Sequence, residues 1–231
     1  PLSVFDYDKQ RNYRFLITQS KNLLMYDSKG KSVKGFRYST TQPVSSQPKH
    51  FRVRGKDYIV FSAGNRLKLL NRRGSIRVKV RESINFSGAA IYLYNSLFTT
   101  TNTKGDLVQI NTKGAVSRQS LGLDSKHDIT CSSKTLVTRS DNKLSIKTNH
   151  IDLEYGSYSS PNLFYLRDKI YISITDLQAQ KIWLFDSQSK RFPGVPVFGT
   201  SAIDLANADA DKPLEFVTKG DPNSLILYQL Y

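Results

Sequence analysis

Asp27-Ser28-Lys29-Gly30, reached through the apolar run Leu23-Leu24-Met25-Tyr26, decides how this chain is read, because the phrase returns along it. Leu67-Lys68-Leu69-Leu70 runs into Asn71-Arg72-Arg73-Gly74, and Leu107-Val108-Gln109-Ile110 into Asn111-Thr112-Lys113-Gly114. Weaker copies are Leu144-Ser145-Ile146-Lys147 before Thr148-Asn149, Ile182-Trp183-Leu184-Phe185 before Asp186-Ser187, and Leu225-Ile226-Leu227-Tyr228. The residues that follow the six runs, 27, 71, 111, 148, 186 and 229, are separated by 44, 40, 37, 38 and 43. The clearest copies close on an Asp or Asn followed by Gly, the chemistry of a tight hairpin that needs positive φ. A period of about 40 residues made of short strands predicts a β-propeller, with one four-stranded blade per repeat.

The expected fold is therefore all-β, a single propeller domain over residues 1–231 with about six blades of mostly four antiparallel strands. The blades are placed at residues 1–38, 48–82, 86–122, 127–157, 160–198 and 200–231. The first has its outer strand at residues 32–38. The fifth has a Pro-rich outer segment, Phe192-Pro193-Gly194-Val195-Pro196-Val197, which suits an exposed edge because proline cannot donate to a ladder. The sixth shows three strands, and a fourth is expected just before Pro1, since an open sheet edge invites pairing with other chains.

Composition agrees with strands. Thirteen Tyr and twelve Phe stand beside one Met, and aromatic side chains pack well on a pleated surface. No 3.6-residue apolar stripe is present, and Asp176-Leu177-Gln178-Ala179-Gln180 is too short to be more than a turn. Cys131 is the only cysteine, which excludes an internal disulfide and a cysteine metal cluster. No apolar run approaches the roughly 18 residues of a membrane helix. The chain opens at Pro1 without a Met, so it is expected to be part of something longer.

Asp6-Tyr7-Asp8-Lys9 before Tyr13-Arg14-Phe15-Leu16-Ile17 resembles a degenerate FG-GAP or VCBS-type propeller repeat. So does Ile203-Asp204-Leu205-Ala206-Asn207-Ala208-Asp209-Ala210-Asp211 before Pro213-Leu214-Glu215-Phe216-Val217. The hairpins that end like Asp27-Ser28-Lys29-Gly30 are similar to PQQ-like, quinoprotein-type blades, within a WD40/YVTN-like architecture. The resemblance implies the C-terminal part of a longer bacterial protein, placed in the periplasm or cell envelope, with the cytoplasm as the alternative. In the FG-GAP and VCBS families the acidic loop can hold Ca²⁺ through carboxylate oxygens. That makes Asp204, Asp209 and Asp211 a Ca²⁺ candidate here, beside the plainer reading of a turn whose Asp side chains cap backbone N–H groups. No WD dipeptide pattern, kelch double Gly or sialidase Asp box is present.

The residues offer little chemistry. His50, His127 and His150 are isolated, with no metal-ligand spacing between them. There is no nucleophile elbow and no P-loop. Glu82, Glu154 and Glu215 are the only glutamates; with aspartates they could supply a carboxylate pair, which keeps a carbohydrate-active enzyme as a third reading. No catalytic residue, cofactor or bound transition metal is expected.

Charge says more. Through residue 124 there are 22 Lys and Arg against 7 Asp and Glu, a net of +15, whereas residues 125–231 carry 12 of each. The excess peaks in the second repeat at Lys49, Arg52, Arg54, Lys56, Arg66, Lys68, Arg72, Arg73, Arg77, Lys79 and Arg81, against the single acid Asp57. The alternation of Arg77, Lys79 and Arg81, and of Arg52 and Arg54, predicts two strand faces lined with cations. The first functional reading is a non-catalytic interaction or scaffold module that holds a protein partner or the rest of its own longer chain. The alternative is a polyanion binder that takes nucleic acid, acidic glycan or an anionic lipid surface through the second blade. Edge protection by charged strands is the structural counter-reading.

Overall fold

The structure, a computed structural model, describes residues 1–209 and 211–230. Ala210, inside the acidic phrase, and Tyr231, the last residue of the sixth expected blade, lie outside the described residues. Every regular element described is a β-strand, and the strands form six antiparallel sheets in which neighbours follow chain order. The chain divides into two compact units, residues 1–125 and 126–231.

The first unit holds three four-stranded sheets. The first contains β1 (Leu2–Phe5), β2 (Arg14–Gln19), β3 (Asn22–Asp27) and β4 (Tyr38–Ser39). The second contains β5 (Lys49–Val53), β6 (Lys56–Ala63), β7 (Arg66–Leu70) and β8 (Ile76–Lys79). The third contains β9 (Tyr92–Tyr94), β10 (Leu97–Thr101), β11 (Asp106–Ile110) and β12 (Val116–Ser120). On β1 and β3 alternate side chains are buried, as a pleat with two unlike faces requires, whereas β6 is buried on both faces. Leu16, Leu23 and Met25 pack with Ile59, Phe61 and Leu70 in one core. Leu67 and Leu69 pack with Phe98, Val108 and Ile110 in another.

The second unit begins with a sheet of β13 (His127–Cys131), β14 (Leu136–Ser140), β15 (Lys143–Ile146) and β16 (Asn149–Asp152). The next contains β17 (Asn162–Leu166), β18 (Lys169–Asp176), β19 (Lys181–Asp186) and β20 (Val197–Phe198). The last has three strands, β21 (Asp204–Ala206), β22 (Leu214–Lys219) and β23 (Leu225–Leu230). Val137, Leu144 and Ile146 share a core with Ile172, Ile174 and Phe185. Ile182 and Leu184 share one with Leu205, Leu214 and Phe216.

The recurring turn phrase works through its first residue. Asp27 Oδ1 accepts the N–H groups of Lys29 and Lys31, each at 2.9 Å, and Asp186 Oδ1 does the same for Gln188 and Lys190. Asn71 takes Arg73 and Ser75, and Asn111 takes Lys113 and Ala115. One side-chain oxygen thus satisfies two turn donors, while Gly30, Gly74 and Gly114 supply φ of +75°, +78° and +87°.

A second recurring device has no counterpart in the sequence reading. Before each of four sheets a hydroxyl clasps the second strand of that sheet. Ser45 Oγ meets Ser62 Oγ at 2.9 Å, Ser87 Oγ meets Thr101 Oγ1 at 2.8 Å, and Ser201 Oγ meets Thr218 Oγ1 at 3.2 Å. Ser159 Oγ accepts the Thr175 N–H at 3.0 Å. The signal was available as a Ser just ahead of each of these repeats, but it lacked a pattern strong enough to read locally.

Two outer strands differ from expectation. Residues 32–38 do not form a continuous strand: Ser32 makes an isolated bridge to Tyr26 and Tyr38–Ser39 pair with the start of β3, while between them Gly35 turns the chain at φ +84° and Phe36 is drawn into the core. In the fifth sheet the Pro-rich segment is a loop, and the outer strand is confined to Val197 and Phe198. Of the segment 176–180, Asp176 ends β18 and residues 177–180 form the turn that follows it.

Candidate functional site: a basic surface on the first unit

The division into two units falls where the charge changes. All of the net +15 lies in the first unit, and the second is neutral. Within the first unit the second sheet carries the densest cations, and the structure sorts them into three groups.

The first group is engaged internally. Arg72, in the β7–β8 turn, puts Nε 2.7 Å from Asp57 Oδ2 and donates from its two terminal nitrogens to Asp8 at 2.6 and 3.1 Å. Its guanidinium also lies 4.6 Å from the centre of the Tyr7 ring. Asp57 is buried and receives His50 Nε2 at 2.8 Å on its other oxygen, and Tyr7 meets the His50 ring edge-on at 4.7 Å. Burial alone would raise the Asp57 carboxyl, but the His50 and Arg72 contacts outweigh it and hold Asp57 below the usual carboxylate range. The bidentate hydrogen bond from Arg72 likewise lowers Asp8. Burial pushes the Tyr7 hydroxyl well above its ordinary value. Lys49 holds its ammonium 4.2 Å over the Tyr92 ring. Arg72 is thus the cation that ties the first sheet to the second, and it is not an open contact for a partner.

The second group is set by irregular backbone and is itself exposed. Arg54 follows the end of β5 in the hairpin turn at φ +48°, so it does not share a strand face with Arg52. The ladder between β7 and β8 shifts register between Leu69 and Leu70: Leu69 is opposite Val78, but Leu70 is opposite Ile76. Arg77 is the extra residue of this bulge, and its guanidinium lies 5.3 Å from the Tyr58 ring. The predicted alternation still holds in exposure: Arg77, Lys79 and Arg81 are exposed, while Val78 and Val80 turn toward the core, although Arg81 lies beyond the end of β8.

The third group forms the open surface. Arg52, Arg54, Lys56, Arg73, Arg77, Lys79 and Arg81 are exposed, while Arg66 and Lys68 are half-buried on β7. Arg52 donates to the Tyr7 carbonyl at 3.4 Å and stands 3.9 Å from Asp8. Among the described residues the others in this group make no ion pair with an acid. Lys68 and Lys79 are direct cross-strand partners, two like charges on one face. Such a pair opposes folding by a few tenths to about 1 kcal/mol.

The acidic loop in the second unit departs from the expected trio. Asp204 lies on β21 and accepts the Leu205 N–H, apart from the other carboxylates. Asp209 and Asp211 converge instead with Glu215 of β22, ligand oxygens all within 4.8 Å of one another. Glu215 is buried; its Oε2 accepts the Ala208 N–H at 2.7 Å, and its Oε1 is enclosed without a hydrogen-bond partner. Burial and the Asp209 carboxyl raise Asp211. Three carboxylates with one buried oxygen unsatisfied fit a hard, oxygen-seeking cation such as Ca²⁺. The sequence reading missed Glu215 because it sits on the strand after the loop.

The remaining titratable groups are spread out. Asp128 pairs with Arg139 and accepts the Ser160 hydroxyl at 2.6 Å. His150 Nδ1 meets Ser145 Oγ at 2.8 Å. Glu82 pairs with Arg118 at 2.8 Å, and Glu154 stands 3.9 Å from Lys181.

No protein-family model matches the chain, and no curated protein matches it by sequence. Solved structures do. Virginiamycin B lyase from Staphylococcus aureus is similar at 15% identity with a TM-score of 0.60, over 99% of this chain and 83% of that one. BBS1N, solved in complex with ARL6DN, is similar at 12% identity with a TM-score of 0.68, over 100% of this chain and 78% of that one. BamB from Moraxella catarrhalis is similar at 14% identity with a TM-score of 0.53, over 94% and 70%. One neighbour is an enzyme and another was solved with a protein partner, so the shared feature is architecture. The chain is an all-β propeller of six three- or four-stranded sheets.

Proposed function

We propose that this chain is a non-catalytic propeller module that binds an acidic protein partner through the basic surface of its first unit. The observation that carries this reading is the confinement of the whole net charge to residues 1–125, with Lys68 and Lys79 held opposite each other at a cost to stability. Edge protection alone asks for charge of either sign on every outer strand. It does not explain why the second unit has equal numbers of acids and bases. A second reading, a polyanion such as nucleic acid, acidic glycan or anionic lipid, draws on the same exposed cations, because arginines in turns are well placed to meet phosphate or sulfate.

Two four-fold charge reversals separate a local surface from bulk charge. One is Arg52→Glu, Arg54→Glu, Arg77→Glu and Lys79→Glu; the other is Lys134→Glu, Lys143→Glu, Lys169→Glu and Lys219→Glu. Binding to an acidic protein bait and to heparin is measured against salt. The first set is expected to abolish binding and the second to leave most of it. Equal loss from both sets would reduce the attraction to net charge, and heparin binding without protein binding would favour the polyanion reading.

A further inference from the structure

Residues 6–13 join β1 to β2, and Arg54-Gly55 turns β5 into β6. The two connections lie side by side. Asp8 of the first takes the bidentate guanidinium of Arg72 and stands 3.9 Å from Arg52, while the Tyr7 carbonyl accepts from Arg52 at 3.4 Å. Lys9 follows Asp8 directly, Arg11 comes two residues later, and Arg54 lies two residues beyond Arg52.

Lys9, Arg11 and Arg54 have φ of +55°, +60° and +48°. This left-handed region crowds Cβ against the backbone, and Gly, Asn and Asp enter it far more readily than Lys or Arg. The β9–β10 turn of the third sheet meets the same demand with Asn95 and Ser96. Residues held at such a cost mark places where something other than stability retains them. Among the described residues the second unit has two cations at positive φ, Arg167 and Lys147. Arg167 has an internal task, since its guanidinium donates to the carbonyls of Asp211 and Lys212. Lys9, Arg11 and Arg54 have none: all three are exposed, and among the described residues their side chains make no hydrogen bond or ion pair.

The acids at this end of the first two sheets are already committed. Asp6 accepts the Gln10 and Arg11 N–H groups at 3.2 and 2.9 Å, Asp8 holds Arg72, and Asp57 is buried against His50 and Arg72. Asp8 also shows which anion suits the place: a carboxylate, gripped through both oxygens by a planar guanidinium.

We propose that the β1–β2 loop and the β5–β6 turn form one contact for an acidic polypeptide, with Lys9, Arg11 and Arg54 meeting its carboxylates. The inference rests on the reading of the first unit as an acidic-partner surface, and it extends that surface from the second sheet onto the first. The three cations carry the contact because they alone combine exposure, strained backbone and no partner within the first unit.

The test uses the whole chain and a polyglutamate peptide as probe. Lys9→Gly, Arg11→Gly and Lys147→Gly each remove one cation from a left-handed position. All three are expected to unfold at higher urea, because glycine adopts positive φ without the Cβ clash. Lys9→Gly and Arg11→Gly are each expected to bind the probe about threefold more weakly or worse, and Lys147→Gly to bind it nearly as the parent does. Stability rising while binding falls is the result that supports the proposal. Equal loss of binding in all three would reduce the effect to net charge and overturn it, and so would lower urea midpoints for Lys9→Gly and Arg11→Gly, which would give those side chains a structural role. Heparin capture without polyglutamate binding would overturn the polypeptide assignment. Unchanged binding in Lys9→Gly and Arg11→Gly, with binding abolished by the four-fold reversal at Arg52, Arg54, Arg77 and Lys79, would sink this inference alone. No binding of either probe by the parent would remove the underlying reading as well.

Discussion

Lys68 and Lys79 stand directly opposite each other on β7 and β8, two ammonium groups on one face of the most basic sheet. A cross-strand pair of this kind works against folding, so its presence points to a use for positive charge at that place. Lys68→Glu turns the repulsion into attraction. The variant is expected to unfold at higher denaturant, by roughly 0.2–1 kcal/mol, and to bind an acidic partner more weakly. Stability and binding moving in opposite directions is the signature to look for. A stability gain with unchanged binding would remove this row from the proposed surface.

Arg72 is expected to behave unlike its neighbour Arg73. Arg72→Met leaves the buried Asp57 with His50 as its one remaining side-chain partner and releases Asp8 on the first sheet. The expected loss is about 1–3 kcal/mol. Arg73→Met removes an exposed charge and should stay within about 0.5 kcal/mol. Urea midpoints for the two variants settle the comparison.

Asp57 also sets a pH dependence. Its carboxyl is held below its unfolded value, so it contributes stability that is fully present above about pH 4 and is lost as pH falls through the lower folded value. Asp57→Asn should therefore be less stable at neutral pH and show a shallower loss below about pH 4. Urea unfolding at pH 3, 5 and 7 would show it, and parallel acid profiles for the two proteins would rule it out.

The acidic loop makes a prediction of its own. Asp211 is raised by burial and by Asp209, so the loop is strained most when all carboxylates are ionised, as pH rises. Ca²⁺ is expected to raise the thermal midpoint at neutral pH. Glu215→Gln and Asp211→Asn should each remove the response, and Asp204→Asn should keep it. If Asp204→Asn alone removed it, the ion would sit elsewhere in the loop.

Much of the fold was legible because the information is local. Asp27, Asn71, Asn111 and Asp186 each fold their own turn by accepting two nearby N–H groups, so the hairpin phrase carries its structure wherever it occurs. The outer strand at residues 32–38 was misplaced for the opposite reason: Phe36 is drawn into a core formed with Ile59, Phe61 and Leu70, partners that lie in the next repeat.

The sequence by itself determined the repeat, the all-β class and the imbalance of charge between the two halves, since period, turn chemistry and composition are properties of the chain read in order. Tertiary structure decided which charges are open. The hairpin turn took Arg54 out of β5, Asp57 and Asp8 claimed Arg72, and Glu215 joined Asp209 and Asp211 from a different element. Each of these rests on groups brought together across a ladder, between sheets or from loop to strand, and the energy of such contacts depends on distances that sequence order does not contain.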